Sequence, residues 1–319
     1  MSMILHSKPW ITRNDINQVV KTLKSGMIGQ GEIVEKFEKK FSTKFGHKIQ
    51  GVAVGSGAGA LYLSLVGLNC GPGSEVIFPT YSCRSLLDAV LSTGAKPVLC
   101  DISKNWIVEK SCITKKITKK TKVIIVPHIY GVFANTKEIA SIGIPVIEDC
   151  AQAISVKNKQ NGTLAIYSFH PTKILTCGEG GMVIANEKKI SQILRILRDG
   201  DPNLKNQRKL FSPLSDLQAS LGLAQLKNWN LILQKRLNLV MEYKKYLIQD
   251  FKQDFDFLEK NDSMFFRLPL KVNGGAIKYT EDFKRKNIIV RKGINLLLHR
   301  LMRMKDDLFP NAVHAFNNT

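Results

Sequence analysis

The chain has 319 residues, 44% hydrophobic and 23% charged, enough for one large or two ordinary globular domains with a full core. Its apolar runs, such as VIIVP at 123–127, are short or broken by glycine and polar residues, which excludes a spanning helix. The start MSMILHSKPW lacks the basic, apolar and small-residue succession of a secretory signal, so the expected location is cytoplasmic. Lys plus Arg is 47 against 26 Asp plus Glu, a net +21. Outside TKKITKKTK (114–122) the basic residues are scattered and no DNA-reading or base-stacking motif accompanies them, so no nucleic acid partner is expected.

In chain order, Val19 to Phe45 places apolar residues at helical spacing on both sides of a glycine-rich break at Gly26 to Gly31, which predicts two helices and a loop. Short β-branched runs then alternate with helical stretches: VAVGSG and ALYLSLVGL, EVIFP and RSLLDAVLSTG, PVLCDI, KVIIVPHIYG, EIASIG and PVIEDCA. That alternation predicts an α/β fold with a mostly parallel, helix-covered sheet. Ligands bind such sheets at the carboxyl ends of the strands, here GSGAG, PTYSC, PHIYG and EDCAQ. MVIAN after Gly181 reads as a further strand, and DLQASLGLAQLKNW with the Lys/Leu-rich stretch to Asp250 reads as helix. A large domain, 1–230 with an N-terminal helical segment at 1–45, is expected to precede a smaller α+β domain, 231–319. In that small domain FFRLPLKV, a helix near Tyr279 to Lys286 and IIVRKG form the pattern, and the end at HAFNNT makes it look shortened.

Six cysteines, Cys70, Cys83, Cys100, Cys112, Cys150 and Cys177, form no C-x-x-C pair and have no histidine cluster beside them. They read as reduced thiols, with no metal site expected.

Three segments carry chemistry. In SFHPTKILTCGEGGMV (168–183) Lys173 lies between a Ser/Thr-rich approach and a glycine-rich exit. A lysine enclosed in a pocket loses proton affinity by desolvation and can form a Schiff base, although most single lysines near turns are merely solvated. In VIEDCAQA (146–153) an apolar strand ends in Glu148 and Asp149. Such a pair is more often a helix cap and its solvated neighbour, but a carboxylate there can also hold a ring nitrogen protonated, with Gln152 one turn on to donate to a ring oxygen. In GSGAGAL (55–61) a strand-to-helix turn offers backbone N–H groups and a helix's positive end to a phosphate. Together they supply what a pyridoxal phosphate enzyme needs.

With these motifs the chain resembles the DegT-type nucleotide-sugar aminotransferases, a family of fold type I pyridoxal phosphate enzymes. The likeness also runs through KPWITRNDINQVVKTLKSGMIGQGEIVEKFEKKF, GAKPVLCDI, SDLQASLGLAQL and GINLLLHR. It implies that Lys173 forms the Schiff base with pyridoxal 5'-phosphate and moves the substrate proton. It further implies that Asp149 partners the pyridinium nitrogen, that Gln152 lies against the ring and its hydroxyl, and that Ser168 with the turn Gly57, Ala58 and Gly59 binds the phosphate. The implied reaction is ping-pong transfer from an amino-acid donor, typically glutamate, to a keto group of a nucleotide-linked sugar in surface-polysaccharide or related glycan synthesis, by a homodimer.

Several positions depart from the family pattern. Ala58 stands where threonine is common, Cys83 where an aromatic usually stacks on the cofactor, Phe211 where an asparagine binds phosphate across the dimer, and Pro213 where a basic residue is frequent. Tyr81 replaces the missing aromatic only if its turn is shifted. Ala58, Cys83 and Phe211, with the short end, motivate an alternative in which the chain is a catalytically impaired relative serving as a sugar-nucleotide sensor or regulatory partner. Lys173 argues against the dehydratase branch of the family, which has histidine at that position.

Overall fold

The computed structural model describes residues 3–155, 160–200, 213–251, 263–272 and 275–319. Two N-terminal helices, α1 (Arg13–Ser25) and α2 (Glu32–Lys44), flank the glycine-rich break. Thr12 caps α1 in a reciprocal box with Asp15. Gly31 has no side chain to cap α2, and the carboxylate of Asp216, distant in sequence, accepts from the N–H groups of Gly31 (3.0 Å) and Val34 (2.9 Å) instead.

The sheet has seven strands: β1 (Val52–Val54), β2 (Glu75–Pro79), β3 (Lys96–Cys100), β4 (Thr121–Pro127), β5 (Val146–Asp149), β6 (Leu164–Ser168) and β7 (Gly181–Ala185). Their order is β1-β7-β6-β5-β4-β2-β3, parallel throughout except that β7 runs against both of its neighbours. Nearly every residue of β2, β5, β6 and β7 is buried, which accounts for their unbroken apolar character: both faces are covered.

One face packs against α3 (Gly57–Gly67), α4 (Arg84–Ser92) and α7 (Lys188–Asp199), burying Val54, Phe78, Ile125, Ile147, Ile166 and Val183. The other face meets α2 and α8 (Asp216–Lys227) through an aromatic cluster of Phe37, Phe41, Phe45, Tyr167 and Phe169. Short helices α5 (Lys110–Thr114) and α6 (Thr136–Ala140) bring Ile113 and Ile139 against Ile124, Val126 and Val146.

After α8 the chain continues as α9 (Trp229–Phe251), a single helix that runs across residue 231. The helix expected near Tyr279 is α10 (Ile277–Arg285). FFRLPLKV and IIVRKG form no ladder among the described residues; Ile288 makes one isolated bridge, to Ile4. IIVRKG meets the N-terminal segment, through Ile4 N–H to the Asn287 carbonyl and Ile289 N–H to the Ile4 carbonyl, while FFRLPLKV bonds singly to the carbonyls of Tyr130 and Asn318. The last elements, α11 (Leu298–Leu301) and α12 (Pro310–Asn317), place Leu297, Leu298, Phe309, Ala312 and Ala315 in the same core as α3 and α4. Thr319 is buried too, donating to the Ala315 carbonyl.

Candidate active site

Alternation along the strands sets the site. Ile147 and Ile166 face the α3 side of the sheet, so two residues on, Asp149 and Ser168 emerge on that side at the carboxyl ends of β5 and β6. The register puts Asp149 beside Pro127 and Ile166, and Ser168 opposite Gly181, which itself pairs with Val54. The end of β1 and the start of α3 therefore arrive next to Ser168.

At this end Ser56 caps α3, accepting from the Gly59 N–H at 3.0 Å. The amides of Gly57 and Ala58, in the first turn, have no intrahelical acceptor. A Cβ on Gly57 would lie 2.7 Å from Cβ and 2.9 Å from Oγ of Ser168, and one on Gly181 would strike the Ser56 carbonyl. Only glycines allow this approach of helix and strands, which leaves two N–H groups, a hydroxyl and the positive end of a helix in one place. Gly59 follows in the same turn, while Ala58 is exposed.

About the centre stand Asp149, Lys173 and Gln152. Asp149 is 7% exposed; burial raises its proton affinity, against the N–H of Ala151 (3.0 Å) and the charges of Lys173 and His128, and the net shift is upward. Among the described residues its Oδ2 has no partner. Lys173 is held below the usual lysine range, first by burial and also by Arg267, while Asp149 and Cys83 act the other way. A larger share of its amine is thus neutral and nucleophilic than in a solvated lysine. Its Nζ lies 5.3 Å from the ring centroid of Phe266. Gln152 Oε1 accepts from the N–H of Tyr130 at 2.9 Å, which fixes the amide so that Nε2 remains as a donor. Tyr130 presents that N–H from a left-handed backbone, φ 58°, followed by Gly131 at φ 90°.

The structure thus brings Lys173 within electrostatic range of both Asp149 and Cys83 and sets Ser168 against Gly57. Cys83 is exposed and precedes α4 without capping it. Tyr81 does not take the place of an aromatic at the cofactor: it is buried, and its hydroxyl is shared with Tyr130 (2.7 Å) and Thr319 (3.4 Å). Pro213 bridges to Val54, and Phe211 lies outside the described residues. Sequence reasoning missed Ser56, Tyr130, His128 and Arg267. Ser56 was legible as the residue before a glycine-rich helix start; the others depend on long-range approach.

These residues fit pyridoxal phosphate. A glycine-walled anion cradle at α3, a buried carboxylate with one oxygen free and a lysine of depressed proton affinity are what its phosphate, ring nitrogen and aldehyde require.

Fold and site together define a fold type I pyridoxal phosphate-dependent enzyme. Residues 9–311 match the DegT/DnrJ/EryC1/StrS aminotransferase family, and the chain belongs to it. It is 31% identical over 263 residues, 75% of this chain and 67% of the relative, to the spore coat polysaccharide biosynthesis protein SpsC of Bacillus subtilis (strain 168). Among solved structures it is similar to the putative sugar aminotransferase Spr1654 of Streptococcus pneumoniae in its PMP form, with TM-score 0.89 and 23% identity over 99% of this chain and 91% of that one. It is likewise similar to S. venezuelae DesV, with TM-score 0.85 and 25% identity over 95% and 87% of the two chains. The chain is accordingly an aminotransferase whose cofactor is pyridoxal phosphate.

Proposed function

We propose that the chain transfers the amino group of an amino-acid donor, glutamate, to the keto carbon of a nucleotide-linked sugar destined for surface polysaccharide or a related glycan. Family membership and the likeness to SpsC, a polysaccharide biosynthesis protein, support the substrate class. So does the likeness to DesI, whose structure was determined in the presence of its TDP-sugar product, TM-score 0.88 at 18% identity. The observation that carries the reading is the meeting of Lys173 and Asp149 at the carboxyl ends of the parallel strands.

The cofactor would supply an electron sink for the substrate carbon that loses its proton. Lys173 would hold the cofactor through Nζ and would take the substrate proton and return it. Asp149 would keep a proton on the ring nitrogen, in surroundings dry enough to strengthen that contact. Gln152 would donate from Nε2 to the ring oxygen, because Tyr130 occupies its Oε1. Ser168 with Gly57, Ala58 and Gly59 would hold the phosphate, and Cys83 would offer the ring a small group in place of a stacking aromatic.

We further propose a cytoplasmic homodimer with a large cofactor-binding domain, 1–230, and a small domain, 231–319; among the described residues no helix is long and apolar enough to cross a membrane. The test of the reaction is incubation with pyridoxal phosphate, glutamate and a panel of nucleotide-linked keto-sugars, with mass spectrometry of the sugar nucleotide. An amino-sugar product and 2-oxoglutarate are expected. Their absence over the whole panel, with the cofactor bound, would remove the reading.

A further inference from the structure

Lys173 shares the ring of Phe266 with a second cation. The Arg267 guanidinium lies 4.2 Å from that ring's centroid and Lys173 Nζ 5.3 Å from it, so the two groups are within about 10 Å of each other. Arg267 also donates to the carbonyl of Thr172, the residue before the lysine, at 3.4 Å, to Ser7 Oγ at 2.8 Å and to the Phe266 carbonyl at 3.2 Å.

Two further arginines join it. Arg236, from α9, donates through Nη1 to the carbonyls of Phe265 (3.4 Å) and Phe266 (3.1 Å), while its Nε is buried with no partner among the described residues. Arg291 follows the segment that the bridge from Ile4 to Ile288 holds beside the N-terminus, and it is exposed. Among the described residues every hydrogen-bond partner of Arg236 and Arg267 is neutral, and no carboxylate pairs with any of the three. Burial, then Arg236 and Arg291, bring Arg267 down to about 10. His6 is also lowered, by burial and then by Arg267 and Arg291, so the histidine here leans to its neutral form. Like charges gathered in a partly dry site are unfavourable alone and become favourable around an anion, and the guanidinium fork matches the paired oxygens of carboxylate and phosphate.

We infer that Arg236, Arg267 and Arg291 form an anion subsite beside Lys173 that receives the acidic oxygen group of a substrate, a carboxylate or a phosphate. This rests on the proposed reaction, whose two substrates each bear such a group: the donor a carboxylate, the sugar nucleotide a diphosphate. The subsite would set the distance between that group and the carbon that reacts at Lys173.

The test titrates the protein loaded with pyridoxal phosphate by calorimetry, using glutarate and inorganic pyrophosphate as probes that cannot be aminated, on wild type, Arg267→Gln and Arg291→Gln. At least one probe is expected to bind, weakened about tenfold by Arg267→Gln and about threefold by the more exposed Arg291→Gln. Weakening of glutarate assigns the subsite to the donor's carboxylate, weakening of pyrophosphate to the nucleotide's phosphates, and weakening of both to either. Binding of neither probe, or binding that changes less than about twofold in the folded variants, would overturn the inference. If circular dichroism shows Arg267→Gln unfolded, Arg291→Gln decides alone. No turnover is needed, so arginine-dependent binding without amination would sink the reaction and keep the subsite, and the reverse result would do the opposite.

Discussion

Glu148 and Asp149 are neighbours at the end of β5, yet they face opposite sides of the sheet and meet opposite surroundings. Glu148 accepts from the N–H groups of Asn161 (2.7 Å) and Gly162 (2.6 Å), pairs with His128 Nε2 (2.9 Å) and accepts from Thr136 Oγ1 (3.3 Å). Asp149 takes one N–H, from Ala151, and its Oδ2, with no partner among the described residues, is open to the proposed contact with the cofactor near Lys173. The first carboxylate is consumed by the fold; the second is left with an oxygen for its proposed role.

Glu148→Ala is expected to cost about 3–5 kcal/mol in chemical denaturation, because three buried partners, His128, Thr136 and Gly162, lose their acceptor together with the N–H of the exposed Asn161. Burial raises the proton affinity of Glu148, but His128 and the two backbone N–H groups outweigh it and hold the carboxyl below its ordinary range. The stability it lends is therefore fully present above the unfolded glutamate range and fades as pH falls through the lowered native value. A Glu148→Gln variant should show a flatter acid limb; an unchanged limb would refute the assignment.

Asp149→Asn should lower kcat by about 100-fold or more while changing cofactor retention far less, since the amide fills the same space but no longer stabilises the ring's positive charge. Equal losses in the two measurements would take away its electronic role.

Glu38 is fully buried between α2 and the sheet, where it meets Arg198 Nη1 (2.6 Å), Arg195 (3.0 Å), the Ala53 N–H (2.8 Å) and Gln50 (3.1 Å). Glu38→Ala leaves Arg198 paired with Asp199 alone (2.8 Å) and strips the Ala53 N–H of its acceptor, and is expected to destabilise the protein by about 2–4 kcal/mol. A loss below about 1 kcal/mol in urea unfolding would contradict this.

Arg267 depresses the proton affinity of Lys173, as burial does more strongly. Removing the guanidinium in Arg267→Gln should move the lysine's titration upward, so that attachment of pyridoxal phosphate needs a higher pH than in wild type. The pH dependence of the attachment rate, followed by absorbance, measures this; a midpoint that stays or falls would contradict it.

Most of the parallel sheet was legible because β2, β4 and β5 are apolar runs largely buried on both faces and end in PTYSC, PHIYG and EDCAQ; β6, which carries Ser168 at its end, is not among the predicted strands. Periodicity misled at FFRLPLKV and IIVRKG, which look like strands but form no ladder among the described residues, only the bridge at Ile4 and single bonds to Tyr130 and Asn318. Nor could spacing show that Asp216 caps α2, that Tyr130 adopts a left-handed backbone to hold Gln152, or that Arg267 comes to Thr172 from 95 residues away. Each depends on chain segments meeting in the folded state, and local pattern carries no record of that.

The central claim is that Lys173 is the lysine that holds the cofactor. Purified protein with pyridoxal phosphate is reduced with borohydride, digested and mapped by mass spectrometry, with absorption spectra taken before and after, alongside a Lys173→Ala variant. A pyridoxyl group on Lys173, a band at the edge of the visible that reduction abolishes, and the loss of both in a folded Lys173→Ala protein are the expected results. A modification on another lysine, or none at saturating cofactor, would contradict the account.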